Sequence, residues 1–289
     1  MISHLNVIAN VLQVCTYDDY YRETLKAPGD KRYQENCLGL LPMSHIYSLV
    51  VICHCSPYRG DGVIILPKFD MQLYLTSIQK FKISSLYLVP PIIIMMAKNK
   101  AALDKFDLSS IKIIFTGAAP LGKETADELS GQYPNWLIRQ GYGLTETSTV
   151  VSSTSGHDIW FGSSGSIIPL VECKLVDPEN GKEITAYDTP GELWVKSPAV
   201  TLGYFKNEVA TADTFVTDAG GRWMKTGDEA VVRVAPSGNE HIFITDRIKE
   251  LIKVKVRTCF PSIKKQTNFR RVYKSLPPNS KPISSPTRT

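Results

Sequence analysis

The stretch Ile111–Thr147, "IKIIFTGAAPLGKETADELSGQYPNWLIRQGYGLTET", decides the fold class. An apolar run, "IKIIFTG", gives way to a helical pattern, "PLGKETADELSGQ", and a second run, "WLIRQGYG", follows within a few residues. Strand, helix and strand at this spacing make a βαβ unit, whose two strands lie parallel in one sheet. Working toward the N-terminus, the same alternation repeats. "SSLYLVP" reads as a strand and "PIIIMMAKNK" as a helix opened by proline, which the first helical turn tolerates. "GVIILP" and "MQLYLTSIQKF" form another such pair, and "CLGLLP" with "HIYSLVVICHC" one more. At the start of the chain, Ser3–Val14 carries apolar residues at helical spacing with Ser3 as N-cap.

Past Gly162 the texture changes. "GSIIPLVECKLVD", "GELWVKS", "EAVVRV" and "EHIFITD" are short strands between Gly-, Pro- and Asn-containing turns, which predicts an antiparallel region. The expected organisation is a partial doubly wound α/β part over 1–161, a β-rich subdomain over 162–248, a linker over 249–255 and a basic tail over 256–289. The tail is rich in Pro, Ser and basic residues and is predicted to be disordered.

The bulk properties fit this division. The chain has 289 residues, 43% hydrophobic and 21% charged, in the range of soluble globular proteins. Its net charge of +5 belongs to the tail: no Asp or Glu follows Glu250, and the part before the tail is mildly acidic. Six scattered cysteines form no framework and favour free thiols, and Cys53-His54-Cys55 lacks the second ligand pair of a metal site. The longest apolar run, Leu86–Ala97, is too short and too proline-rich to span a bilayer. No secretory signal or peroxisomal address is read in the chain, and the expected location is cytoplasmic, or peroxisomal for full-length relatives.

Ligands of open α/β sheets bind beyond the carboxyl ends of the strands, so the glycine-rich segments there are the candidate site. "FTGAAPLGK" nearly spells a Walker phosphate loop. Glu124, however, stands where a magnesium-binding hydroxyl is needed, and Pro120 removes a backbone donor, so that reading fails. "QGYGLTET", Gln140–Thr147, reads as a turn in which two glycines let the backbone approach a flat ligand while Tyr142 offers a stacking face. Thr145 and Glu146 then place a hydroxyl beside a carboxylate, suited to a phosphate oxygen and a divalent cation, or to plain helix capping. In "WMKTGDEA", Asp228 after a Thr-Gly turn suits two vicinal ribose hydroxyls, or is an ordinary turn aspartate. Arg247 is a second donor to the same sugar, or pairs with Asp246 or Glu250 at the surface.

Taken together, "LLPMSHIYSL", "FTGAAPLGKE", "QGYGLTET", "GELWVKSPAVTLGY", "WMKTGDEA" and "DRIKELIKVK" resemble the adenylate-forming superfamily, most closely its fungal 4-coumarate–CoA ligase-like members, from Met1 to about Lys255. The resemblance implies an acyl- or aryl-CoA synthetase whose substrates are ATP, a carboxylic acid (aromatic or fatty) and coenzyme A, with AMP as product and magnesium as the metal. Gly117, Ala118 and Ala119 would line the adenine and acyl pockets. Gln140, Gly141, Tyr142 and Gly143 would hold the nucleotide, Tyr142 by stacking. Thr145 would touch the α-phosphate, Glu146 would help hold magnesium, and Asp228 and Arg247 would grip the ribose. His45 and Tyr47 would form the acid-substrate wall, and Lys249 and Lys253 would lie in the interdomain hinge.

Two departures from the family pattern carry an expectation of their own. The family's Ser/Thr/Gly-rich phosphate loop has no counterpart in this sequence, and Val256-Arg257-Thr258 replaces the entry into the small C-terminal domain. The reading therefore expects an exon boundary near Lys255 and severely weakened adenylation. Its alternatives are a non-catalytic AMP or acyl-adenylate binder, or, more remotely, nucleic-acid or membrane contact by the basic tail. Oligomeric state is left open.

Overall fold

In the computed structural model, which describes residues 1–248, seven strands run in the order β2 (Gly62–Ile65), β1 (Asn36–Gly39), β3 (Ser85–Leu88), β4 (Ile113–Thr116), β5 (Leu137–Leu144), β6 (Thr149–Ser153) and β7 (Ser166–Ile167). The first five are parallel, and β6 and β7 extend the sheet antiparallel. Alternation along each strand sends side chains to opposite faces. On β1, Cys37 joins one apolar cluster and Leu38 the other. Tyr87 and Leu88 of β3 divide in the same way, as do Ile114 and Phe115 of β4.

Helices cover both faces. One face packs on α3 (Met71–Phe81), α4 (Pro90–Lys98) and α6 (Lys123–Gln132), through Tyr74, Ile78, Ile93, Met96 and Leu129. A short helix, α5 (Lys100–Leu103), follows α4. The other face packs on α1 (His4–Thr24) and a π-type helix, Ser48–Cys55, that runs into α2 (Ser56–Arg59). The sequence-predicted α/β fold with a doubly wound parallel sheet is therefore present.

The remaining strands form a second, antiparallel sheet in the order β11 (Phe215–Asp218), β12 (Gly221–Val234), β10 (Gly191–Lys196), β8 (Glu172–Val176) and β9 (Glu183–Ile184), with β13 (Glu240–Arg247) on β12. A last helix, α7 (Glu208–Thr214), precedes β11. Leu175, Leu193, Val195, Met224 and Ile242 of this sheet join the core cluster that contains Val50 and Val51. The hinge lysines Lys249 and Lys253 and the tail lie outside the described residues.

Three local expectations need correction. "GSIIPLVECKLVD" is two strands, not one, because it leaves the first sheet at β7 and enters the second at β8. "QGYGLTET" is a turn only over Thr145–Thr147: the expected strand "WLIRQGYG" is present as β5 and continues through Leu144. Thr226-Gly227 is likewise not a turn at the mouth of a strand but sits inside β12. There the pairing with β10 skips register between Glu192 and Trp194, and Gly227 adopts φ +72° to absorb the extra residues.

Helix α1 carries an inversion that its spacing did not reveal. Ser3 caps it, accepting from Asn6 N at 3.2 Å, as expected. Yet Leu5, Ile8 and Leu12 are exposed, while Asn6, Asn10 and Gln13 are buried. The amides explain why. Asn10 Nδ2 donates to Val150 O at 2.8 Å, and Asn10 Oδ1 accepts from Val150 N at 3.0 Å. Asn6 Nδ2 donates to Pro198 O at 2.8 Å and to Val200 O at 3.0 Å. Helix α1 thus docks both through Val11, Val14 and Cys15, which join the core, and through amides that satisfy backbone groups of β6 and of the segment after β10. Farther along it, Asp18 meets Arg59 at 2.8 Å and Arg139 at 2.6 Å. Burial pushes the Asp18 carboxyl up, but the two guanidinium groups outweigh it and hold it below the ordinary carboxylate range.

This inverted docking sets a stability contrast. Asn10→Leu strands the buried N–H and C=O of Val150, at about 1–3 kcal/mol per unpaired group. Leu12→Ser, on the exposed stripe, should stay within about 0.5 kcal/mol of the parent. Urea unfolding of both variants checks the ordering, and a larger loss for Leu12→Ser would overturn this account of α1.

Candidate functional site

A cleft of about 210 Å³ opens at the carboxyl ends of β1, β4 and β5. The loop after β1 brings His45, Ile46 and Tyr47 to it, and the loop after β4 brings Gly117 and Ala118. From β5 and the turn after it come Gly141, Tyr142, Gly143, Leu144, Thr145 and Glu146, and β13 supplies Arg247. Residues separated by two hundred positions therefore meet on one surface.

Asp228 is the anchor of this surface. It is 2% exposed and stands behind the cleft wall, not on it. The Tyr142 hydroxyl donates to Asp228 Oδ2 at 2.6 Å, and Arg247 Nε donates to Oδ1 at 3.0 Å. Register explains the second contact, since Asp228 on β12 lies directly opposite Arg247 on β13. The first contact crosses from one sheet to the other. Burial, then the Asp228 charge, push the Tyr142 hydroxyl well above its ordinary pKa, so it stays protonated and donates.

The two glycines beside Tyr142 serve the chain's own packing. A Cβ on Gly143 would lie 1.5 Å from Thr149 O, and one on Gly141 would lie 2.7 Å from Phe115 Cζ. They let β6 and Phe115 close against β5 where its pairing shifts register, between Tyr142 and Gly143. Both glycines also line the cleft.

Glu146 faces the cleft and accepts from the Tyr204 hydroxyl at 2.8 Å. Burial, and then that carboxylate, raise Tyr204 to about 12. Tyr204 lies in "GELWVKSPAVTLGY" but carried no assigned role. Its signal was invisible because the sequence separates it from Glu146 by 58 positions. Thr145 is exposed at the mouth. His45 is exposed too, and its Nδ1 accepts from Tyr47 N at 3.2 Å. The Tyr47 hydroxyl donates to Phe115 O at 2.9 Å, fixing that ring against β4.

Gln140 and Ala119 are not on the cleft wall. Gln140 Oε1 instead accepts from Leu121 N at 3.0 Å, bracing the loop that carries Gly117 and Ala118. Phe115, Thr149 and Val150 also line the cleft, although none drew notice as a candidate.

Backbone strain clusters here. Ala118 (φ +67°), Ser148 (φ +51°) and Thr149 (φ +122°) are non-glycine residues with positive φ beside one cleft. Such conformations persist only where the surroundings fix them. Ser148 Oγ donates to Ala199 O at 2.9 Å, and Thr149 Oγ1 donates to Ile46 O at 3.0 Å.

Among the described residues no group of three or more His, Cys, Asp or Glu is placed to cage a metal. Glu146, the expected magnesium ligand, lies on the cleft wall, and magnesium needs only one or two carboxylates when nucleotide phosphates and water complete its shell.

The protein-family model described as "AMP-binding enzyme" matches residues 1–205. Acyl-CoA ligase easD of Emericella nidulans is 43% identical over 260 residues, covering 90% of this chain and 44% of that protein. 4-Coumarate–CoA ligase 1 of Arabidopsis thaliana is 38% identical over 223 residues, covering 75% and 38%. Among solved structures, ATP-bound MatB from Rhodopseudomonas palustris superposes with a TM-score of 0.71 at 24% identity, covering 86% and 44%, and shares the fold. The chain spans less than half the length of each of these proteins.

The Tyr142–Asp228 bond generates a paired prediction. Tyr142→Phe should cost about 1.5–3 kcal/mol, the range for a hydrogen bond to a charged group. In the parent, native Tyr142 keeps its proton after the unfolded chain loses it near pH 10, and native Tyr17 and Tyr33 do so up to about 12. A raised native pKa means stability is full below about pH 10 and falls as pH rises past it. Urea unfolding at pH 8, 9.5 and 10.5 should show that decline, shallower in Tyr142→Phe. A flat profile contradicts it.

Proposed function

This chain belongs to the AMP-binding enzyme family, and from that premise we propose that its cleft binds adenosine monophosphate and acyl-adenylate in the manner of a carboxylate–CoA ligase. The observation that carries the proposal is the joint anchoring of Tyr142 and Arg247 by the single buried carboxylate of Asp228. The Tyr142 ring offers a face for adenine. An ionised carboxylate has about four acceptor sites. Asp228 would accept from a ribose hydroxyl of the entering nucleotide, and Arg247 would donate beside it.

In the ligase reaction, a carboxylate oxygen attacks the α-phosphorus of ATP and pyrophosphate leaves, giving an acyl-adenylate. The sulfur of coenzyme A then attacks the acyl carbonyl, and AMP leaves. Neither step needs a covalent bond to the protein, so the chain contributes position and charge. Thr145, at the mouth, donates toward the α-phosphate. His45 and Tyr47 border the incoming acid. Glu146 is the residue that would hold a nucleotide-borne magnesium ion, whose charge would offset that of the phosphates. Tyr204 aims Glu146 by its 2.8 Å bond. The strained Ala118 backbone keeps the loop after β4 close to the acid.

Supporting the ligase reading are the identity to acyl-CoA ligase easD and the match of residues 1–205 to the AMP-binding family. The substrate set, an aromatic or fatty carboxylic acid with ATP and coenzyme A, belongs to the proposal. Pyrophosphate release with 4-coumarate, cinnamates and medium-chain acids assays the complete reaction.

Calorimetry tests the nucleotide step more directly. AMP should bind the parent chain, and Asp228→Asn should bind it at least tenfold more weakly, about 1.4 kcal/mol. Removing the ribose hydroxyls, as 2′,3′-dideoxy-AMP does, should weaken binding to the parent but change little on Asp228→Asn. Equal AMP affinity in parent and variant would remove Asp228 from the site.

A further inference from the structure

Where β12 passes Leu193 of β10, the ladder between the two strands opens. Glu192 pairs with Glu229 and Trp194 with Lys225, so Leu193 alone stands opposite Thr226, Gly227 and Asp228. Those three residues are buried, and a buried N–H without an acceptor is costly. Two side chains supply acceptors that the opened ladder lacks. Glu192 Oε1 accepts from Gly227 N at 3.1 Å. Thr226 Oγ1 accepts from Asp228 N at 3.1 Å while donating to Leu193 O at 2.7 Å. The second oxygen of Glu192 accepts from Trp194 Nε1 at 2.9 Å, which fixes the orientation of the carboxylate. Lys174 Nζ lies in turn 5.1 Å from the Trp194 ring centre.

For the sheet alone, a carboxylate at position 192 is a poor choice. Glu192 lies directly opposite Glu229, and like charges so placed destabilise a ladder. Thr245 eases only the Glu229 side, donating to its Oε1 at 2.8 Å. The compensating contact of Glu192 is at Gly227, whose φ of +72° turns the strand just before Asp228. Direction is at stake there. Side chains alternate along a strand, so a slip of one residue would send Asp228 to the other face. The bulge must hold its shape for Asp228 to meet Tyr142 and Arg247.

Resting on the nucleotide reading above, we infer that Glu192 is a positioning residue of the site: by holding the Gly227 N–H it fixes the bulge at 226–228 and aims the Asp228 carboxylate at the ribose of the nucleotide. Glu192 is not on the cleft wall, and it acts through Asp228.

Calorimetry with AMP and 2′,3′-dideoxy-AMP reads this role as the ratio of the two affinities. In the parent, AMP should bind about tenfold tighter than the dideoxy form. Glu192→Met, similar in length but without a carboxylate, should cut that ratio by about fivefold or more, toward the value of Asp228→Asn, and Glu192→Ala should do the same. Glu192→Gln keeps an oxygen for the Gly227 N–H and should hold the ratio within about threefold of the parent. Dideoxy-AMP itself should bind every variant within about threefold of the parent, whereas a merely structural role would weaken both nucleotides alike. An unchanged ratio in Glu192→Met and Glu192→Ala, or equal losses for both nucleotides, overturns the role of Glu192. If AMP fails to bind the parent, the nucleotide reading falls and this role with it. If AMP binds and only Asp228→Asn erases the ratio, the role of Glu192 alone is lost. Should neither variant without the acceptor fold, the Gly227 amide proton in glycine-labelled protein decides. It should move upfield in Glu192→Gln, whose neutral oxygen is the weaker acceptor, and an unmoved resonance overturns the bond.

Discussion

A buried carboxylate that holds two side chains from different strands is the constraint on which the rest of this structure turns. Asp228 is 2% exposed, and a charge so placed is tolerable only when fully engaged. Its bond to Arg247 follows from the pairing of β12 with β13, but its bond to Tyr142 joins the antiparallel sheet to the parallel one. That link holds the walls of the cleft in register. The bulges on either side of it, at Tyr142/Gly143 and at Glu229/Ala230, are local departures from regular pairing that aim both residues toward it.

The polar side of α1 completes the frame. By bonding both backbone groups of Val150, Asn10 holds β6 from one side, while the Thr149 hydroxyl binds the Ile46 carbonyl from the other. The strained Ser148-Thr149 pair is therefore gripped at several points. A site that must receive a charged, hydroxylated nucleotide benefits from donors and acceptors that do not have to reorganise on binding.

Much of this was legible in the letters, and the omissions have physical causes. Periodicity located the parallel strands and their helices because burial on both faces leaves long apolar runs. Tyr142, Thr145, Glu146, Asp228 and Arg247 stood out by residue type beside glycines. What escaped was whatever depends on pairing at a distance. The antiparallel pairing of Gly141–Leu144 was hidden because β6, which supplies that ladder, was not marked as a strand in the letters. The packing role of Gly143 was hidden because the atom it avoids, Thr149 O, lies on that neighbouring strand. Tyr204 and Phe115 were passed over because each takes its meaning from a partner remote in sequence. The face of α1 was only half legible because apolar spacing marks a helix without saying which side docks, and here buried amides share the docked face with Val11, Val14 and Cys15.

The most direct measurement is a crystal structure of the chain soaked with AMP. The account predicts adenine against the Tyr142 ring, ribose oxygens within hydrogen-bonding distance of the Asp228 carboxylate and Arg247, and the phosphate at Thr145. AMP bound elsewhere on the protein, with this cleft filled only by water, would contradict it.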